Sequence, residues 1–185
     1  MANERLDTGL IGGVEKREIV IVDYDLHWPK EFEQHAQCIA VALGGAALRI
    51  EHIGSTAVPG LAAKPIIDML VVVADSAKES IYLPQLQAAG YVLRVREPDW
   101  NEHRMFRTPE KNVHVHIYSL GCQEIERYLT FRNRLRSNAH DRQRYEKLKR
   151  ELATIAWSDM NAYAEAKTEV IESIINAAQT TGEVY

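Results

Sequence analysis

The sequence predicts one α/β (α+β) domain, a mixed β-sheet flanked by helices and followed by a helical C-terminal segment. Three observations predict it. Short β-branched runs alternate with a helical pattern as far as residue 118. The run Ile66 to Val73 is dense enough to be buried on both faces. From Gln123 onward the apolar residues recur at helical spacing. A chain of 185 residues sits within the range of single domains, and 46% apolar against 26% charged residues is a globular balance.

Residues 1–13 are polar and then glycine-broken, which predicts a flexible tail and leaves 14–180 as the domain. Glu18 to Tyr24 holds four β-branched residues in succession and predicts a short strand. Trp28-Pro29 opens a helix whose Trp28, Phe32, Ala36, Ile39 and Leu43 share a face, and Gly44-Gly45 stops it. Ala47 to Ile53 is the next strand, then a small-residue loop runs to Leu61. Ile66 to Val73 is expected to be the central strand. Ser76 is expected to cap helical structure reaching Ala89, broken or kinked by Pro84 and stopped by Gly90. Tyr91 to Arg96, His103 to Thr108 and Asn112 to Tyr118 predict an antiparallel meander, with a turn at Pro109-Glu110-Lys111. Two or three helices then close the domain. Tyr145, Leu148, Leu152 and Ile155 form one apolar face, and Tyr163, Ala166, Val170, Ile171 and Ile174 another.

Composition narrows the function. No secretory h-region opens the chain, and its longest apolar run, Ile66 to Ala74, is cut by Asp68 and falls below the roughly 20 residues of a bilayer span. A cytoplasmic protein with no membrane partner is expected. Cys38 and Cys122 lack metal-type spacing and predict no disulfide. A net charge of −4 argues against nucleic acid as the partner, although residues 127–150 hold nine basic residues against two acidic ones. An acidic partner would bind there, and salt would weaken it steeply.

The chemistry concentrates between Glu51 and Asp68: a strand, the turn Gly54-Ser55-Thr56, Lys64, then a strand carrying a carboxylate. Glycine lets a phosphate approach the backbone, and the hydroxyls and backbone N–H groups complete an anion cradle to which Lys64 adds charge. The segment is no P-loop, because Lys64 stands four residues after Gly60 and leads into a strand. His114 and His116 share one side of a later strand, as candidates for ligand or acid–base work, and Arg132 and Arg136 share one helical face, as phosphate partners. Glu51 and His52 alternate on their strand and serve different faces.

Glu51-His52-Ile53-Gly54-Ser55-Thr56, followed by Pro59-Gly60-Leu61 and Lys64-Pro65, resembles the GrpB family of bacterial proteins, within the nucleotidyltransferase superfamily. The likeness extends to Trp28-Pro29, His114-Val115-His116, Phe131 to Arg136, and the spacings Tyr145-Leu148-Lys149 and Tyr163-Ala166-Lys167. It implies a nucleotidyltransferase-like protein that binds a nucleotide or phosphorylated small molecule. In that superfamily Gly-Ser holds the triphosphate, and three carboxylates hold two divalent metals. Here Asp68 fills the first position, Leu70 stands at the second, and histidines replace the third. The resemblance therefore implies a degenerate transferase site with Asp68 and His116 as the catalytic pair. It also implies a divalent metal (Mg, Mn or Zn) drawn from Asp68, His116, His114 and Glu51, the imidazoles favouring the softer ions. The alternative is a non-catalytic regulatory or partner-binding module that retains the fold.

Overall fold

The computed structural model describes residues 9–15 and 18–180. The predicted first helix forms as α1 (Trp28–Leu43), with Pro29 in its opening turn. Then come β1 (Arg49–Ile53) and β2 (Ile67–Val73), α2 (Leu83–Ala88), and the meander β3 (Val92–Glu97), β4 (His103–Arg107) and β5 (Val113–Ser119). Four helices follow, one more than the upper expectation: α3 (Gln123–Ser137), α4 (Ala139–Ala153), α5 (Met160–Glu165) and α6 (Thr168–Thr180).

The sheet order is β1-β2-β5-β4-β3, with β2 and β5 parallel and every other pair antiparallel. This is the mixed sheet flanked by helices that the nucleotidyltransferase-like reading predicts. The central strand is β5, not β2. Strand β2 is apolar apart from Asp68 because helices cover both its faces, a condition that its position next to the edge also satisfies. On one face Ile67, Met69 and Val71 meet Trp28, Ile39 and Leu43 of α1 and Leu86 of α2. On the other, Leu70 and Val72 meet Tyr118 of β5 and Ile125 and Leu129 of α3. Alternation puts Asp68 on this second face, one step beyond the apolar cover.

Three local expectations change. The Glu18 to Tyr24 run makes only one bridge, in which Val22 and Ala63 exchange N–H···O bonds of 2.9 Å. Its Ile19 and Ile21 instead join the C-terminal helices in a cluster with Leu152 and Tyr163, so the β-branched run serves packing more than a ladder. Pro84 does not break α2; it sits in the first turn, where its missing N–H costs nothing. Of the expected tail, residues 1–8 lie outside the described residues, whereas 9–13 are laid along β3. Arg96 N–H donates to Gly9 O and Ile11 N–H to Arg94 O, each at 2.8 Å, which covers the sheet edge.

The basic stretch is spent on internal bracing. Arg127 pairs with Glu172, Arg134 with Asp141 at 2.7 Å, and Arg150 with Asp23 at 2.6 Å; Arg142 donates to Leu135 O at 3.0 Å. Few of these cations remain to form a nucleic-acid surface.

Candidate functional site

The turn after β1 is built by a residue that only glycine can replace comfortably. Gly54 has φ +71°, and a Cβ there would lie 2.6 Å from Asp68 Oδ2. A single 3₁₀ turn, Ser55–Ala57, follows it. Thr56 Oγ1 donates to Ile66 O at 3.1 Å and lies 3.0 Å from His52 Nε2, tying the turn to the entry of β2. Arg136 Nε donates to Ala57 O at 2.9 Å, and Arg132 Nη1 to His52 O at 2.9 Å and to Glu51 Oε2 at 2.7 Å. Both arginines therefore fix the backbone of the turn from behind. They do not line the cavity in front of it, a correction to their expected role as phosphate partners. The physical reason is that the i, i+4 face of α3 carrying them looks onto β1.

Asp68 lies opposite His114 in the parallel register, and Leu70 opposite His116. Asp68 Oδ1 is 3.4 Å from His114 Nδ1 and 3.9 Å from His116 Nε2. Burial works against its charge, yet the two imidazoles beside it, His114 foremost, outweigh this and hold the carboxyl well below the usual range. The expected Asp68 and histidine constellation is thus brought together on one face.

In front of Asp68 lies a cavity of about 320 Å³ that reaches Gly54, Ser55, Lys64, Lys149 and Lys167. Lys149 is buried on α4 and donates to Ala62 O. Burial, then the charge of Lys167, lowers its ammonium to about 7. Lys167 follows α5 and is lowered to about 8 by burial, with Asp68 opposing. Each of these two lysines lies over a tyrosine ring, Lys149 at 4.9 Å from the Tyr145 centroid and Lys167 at 4.5 Å from that of Tyr163, and Lys64 shares the Tyr163 ring at 4.9 Å. Three ammonium groups and Arg127 against the carboxylates of Asp68 and Glu124, the latter paired with Arg127, leave the cavity suited to an anion.

Lys149 and Lys167 are the residues to which sequence reasoning gave no role. Their signal was present as Tyr-x-x-x-Lys, read at Tyr145 to Lys149 and again at Tyr163 to Lys167, which sets ring and amine on one helical face. The metal expectation fares differently. Glu51 is held by Arg132 and by Arg49 Nε at 2.9 Å, away from Asp68. Among the described residues no three His, Cys, Asp or Glu side chains are disposed to hold a metal ion.

His52 faces away from the cavity, stacked on Phe32 with ring centroids 4.7 Å apart. Burial first, then Arg136 and Arg132 against an opposing Asp68, lowers its imidazole to about 4. An unfolded histidine titrates near 6.5, so between pH 6.5 and 4 the unfolded state binds a proton that the folded one refuses. The stability contributed by neutral His52 is present above pH 6.5 and is lost as the pH falls towards 4, by up to about 3 kcal/mol. His52→Gln keeps a donor for Thr56 and removes the titration. Urea melts at pH 7 and 4 are expected to show a smaller acid loss in the variant; equal losses would refute the neutral, buried imidazole.

Residues 18–177 match the family model described as GrpB protein. The chain belongs to the GrpB family. A UPF0157 protein of Streptomyces coelicolor is 51% identical over 169 residues, covering 91% of this chain and 89% of the relative. Another, of Halalkalibacterium halodurans, is 48% identical over 163 residues, covering 88% and 84%. The crystal structure of the GrpB protein of Enterococcus faecalis superposes with a TM-score of 0.78 at 37% identity, covering 88% of this chain and 98% of that one. The family match thus spans the sheet, the Gly54-Ser55 turn and the segments that carry Lys149 and Lys167. No helix among the described residues is long and apolar enough to cross a membrane.

Proposed function

We propose that this GrpB protein binds a nucleotide or another phosphorylated small molecule in the cavity between the Gly54-Ser55 turn and Asp68. The observation that carries the reading is the convergence of Lys64, Lys149 and Lys167 on that cavity, the last two with ammonium groups that burial makes easier to deprotonate. A polyanion relieves the repulsion among them and restores their charge. The small-residue turn supplies room for its oxygens, and Phe131 and Tyr128 supply an apolar wall for the rest of the ligand. Leu70 favours binding over two-metal nucleotidyl transfer, since the position of the second carboxylate lies inside an apolar cluster.

Thermal-shift measurements with ATP, GTP, coenzyme A, pyrophosphate and inorganic phosphate test the reading, each with and without Mg²⁺, Mn²⁺ or Zn²⁺. A ligand at one hundred times its Kd adds about 2.7 kcal/mol, or roughly 5–10 °C for a domain of this size. Lys149→Met removes a buried cation, so the variant is expected to fold at least as well at pH 7 and to lose that shift. No stabilisation by any phosphate compound, or full stabilisation of Lys149→Met, would overturn the assignment.

A further inference from the structure

A line of polar side chains crosses the sheet on the face that carries Asp68. It begins on β3 with Glu97, whose Oε2 accepts from His103 Nδ1 at 2.7 Å. It continues on β4, where His103 Nε2 lies 3.0 Å from His116 Nδ1 of β5. It ends with His116 Nε2 at 3.9 Å from Asp68 Oδ1 of β2. The two imidazoles are nearly parallel at 14°, and Tyr118 stacks on His103 at 4.8 Å, so the rings have little freedom to turn.

Hydrogen-bond chemistry fixes the protons along this line. An ionised Glu97 only accepts, so His103 carries its proton on Nδ1. Burial is the largest influence on His103 and lowers its pKa, which favours the neutral ring. A neutral His103 then accepts at Nε2, and His116 must donate from Nδ1. In the neutral His116 ring the lone pair then lies on Nε2, facing the carboxylate of Asp68. Two acceptors cannot bond each other directly, and a separation of 3.9 Å suits an O–H-bearing group shared between them.

We infer that His116 is a general base: it deprotonates a water molecule held between its Nε2 and Asp68, and that water attacks the phosphorus of the ligand in the adjoining cavity. The inference rests on the phosphorylated-ligand reading above and adds hydrolysis to it. In the step, the water O–H bond breaks and its proton passes to His116 Nε2. The oxygen forms a bond to phosphorus, and the bond to the leaving oxygen breaks with its electron pair. The His116 Nδ1 proton moves to His103 Nε2, and the His103 Nδ1 proton moves to Glu97, whose side chain is 34% exposed and gives the proton an exit. His103 and Glu97 are positioning residues that set the tautomer of the base.

Two measurements test this. Imidazole ¹⁵N spectra of the ligand-free protein at neutral pH are expected to show His103 and His116 both protonated on Nδ1, with His116 shifted towards the Nε2–H form in Glu97→Leu. A His116 protonated on Nε2 in the wild type, or unchanged by Glu97→Leu, overturns the relay. Phosphate release is then followed with ATP as the probe. His116→Gln is expected to keep the ATP-induced thermal shift and to lose about 100-fold in rate, the usual scale of a general base. ATP binding without phosphate release, or with release unaffected by His116→Gln, overturns the hydrolytic role. Absence of any ATP-induced shift counts instead against the ligand reading, while the tautomer measurement still judges the relay.

Discussion

Leu70→Asp, the substitution that would restore the missing carboxylate two residues after Asp68, is expected to unfold the protein rather than to supply a metal ligand. Leu70 is fully buried against Ile53, Val72, Tyr118, Ile125 and Leu129. Removing its apolar surface costs roughly 2–3 kcal/mol, and enclosing a carboxyl without partners adds a similar amount. The total of about 5 kcal/mol is comparable with the whole stability of many domains. Asp68 is tolerated two residues earlier because it is 31% exposed and has two imidazoles beside it. The site therefore differs from a two-metal centre in its packing as well as in one side chain. Urea denaturation followed by circular dichroism is the check, with Leu70→Ala, expected to cost about 3 kcal/mol, as the comparison. A well-folded Leu70→Asp protein with a near-wild-type midpoint would show that α3 does not seal this position.

What the sequence made legible was local. The apolar face of α1, its glycine stop, the Gly54-Ser55 turn and the buried-type strand with Asp68 all follow from spacing within a few residues. The pairing of β2 with β5 does not, because a parallel partner some 40 residues away leaves no mark in either strand's pattern. The same limit explains the site. Asp68 and the turn are close in sequence, whereas Lys149 and Lys167 arrive from the helical C-terminal segment about a hundred residues further on. Charge alone also misled. Arg132 and Arg136 looked like anion ligands on a solvated helix, yet their guanidinium groups are occupied by Glu51 and by backbone carbonyls of the turn. Counting cations says nothing about which are already satisfied, and only the fold distinguishes the bracing arginines from the cavity lysines.

Gly54→Val is expected to cost about 4 kcal/mol and to disable the cavity at the same time. The backbone at Gly54 has φ +71° and ψ −170°, a region that side chains with a branched Cβ strongly disfavour, worth about 1–3 kcal/mol. A Cβ would also stand 2.6 Å from Asp68 Oδ2 and 3.0 Å from Asp68 Cβ, and an overpacked contact of this kind adds roughly 1–3 kcal/mol. Neither part relaxes easily. The turn is tied by Thr56 to Ile66 O and by Arg136 to Ala57 O, and Asp68 stands on a strand paired on both sides. Whatever gives way, the carboxylate and the turn separate, so any phosphate-induced thermal shift should vanish together with the lost stability. Thr56→Val separates the two effects. It deletes the two hydrogen bonds of the Thr56 hydroxyl, to Ile66 O and with His52 Nε2, costs about 2 kcal/mol, and leaves Gly54 against Asp68, so ligand-induced stabilisation should survive in it. Equal stabilisation of Gly54→Val and wild type by the same phosphate compound would mean that the close approach of turn and acid has no part in binding.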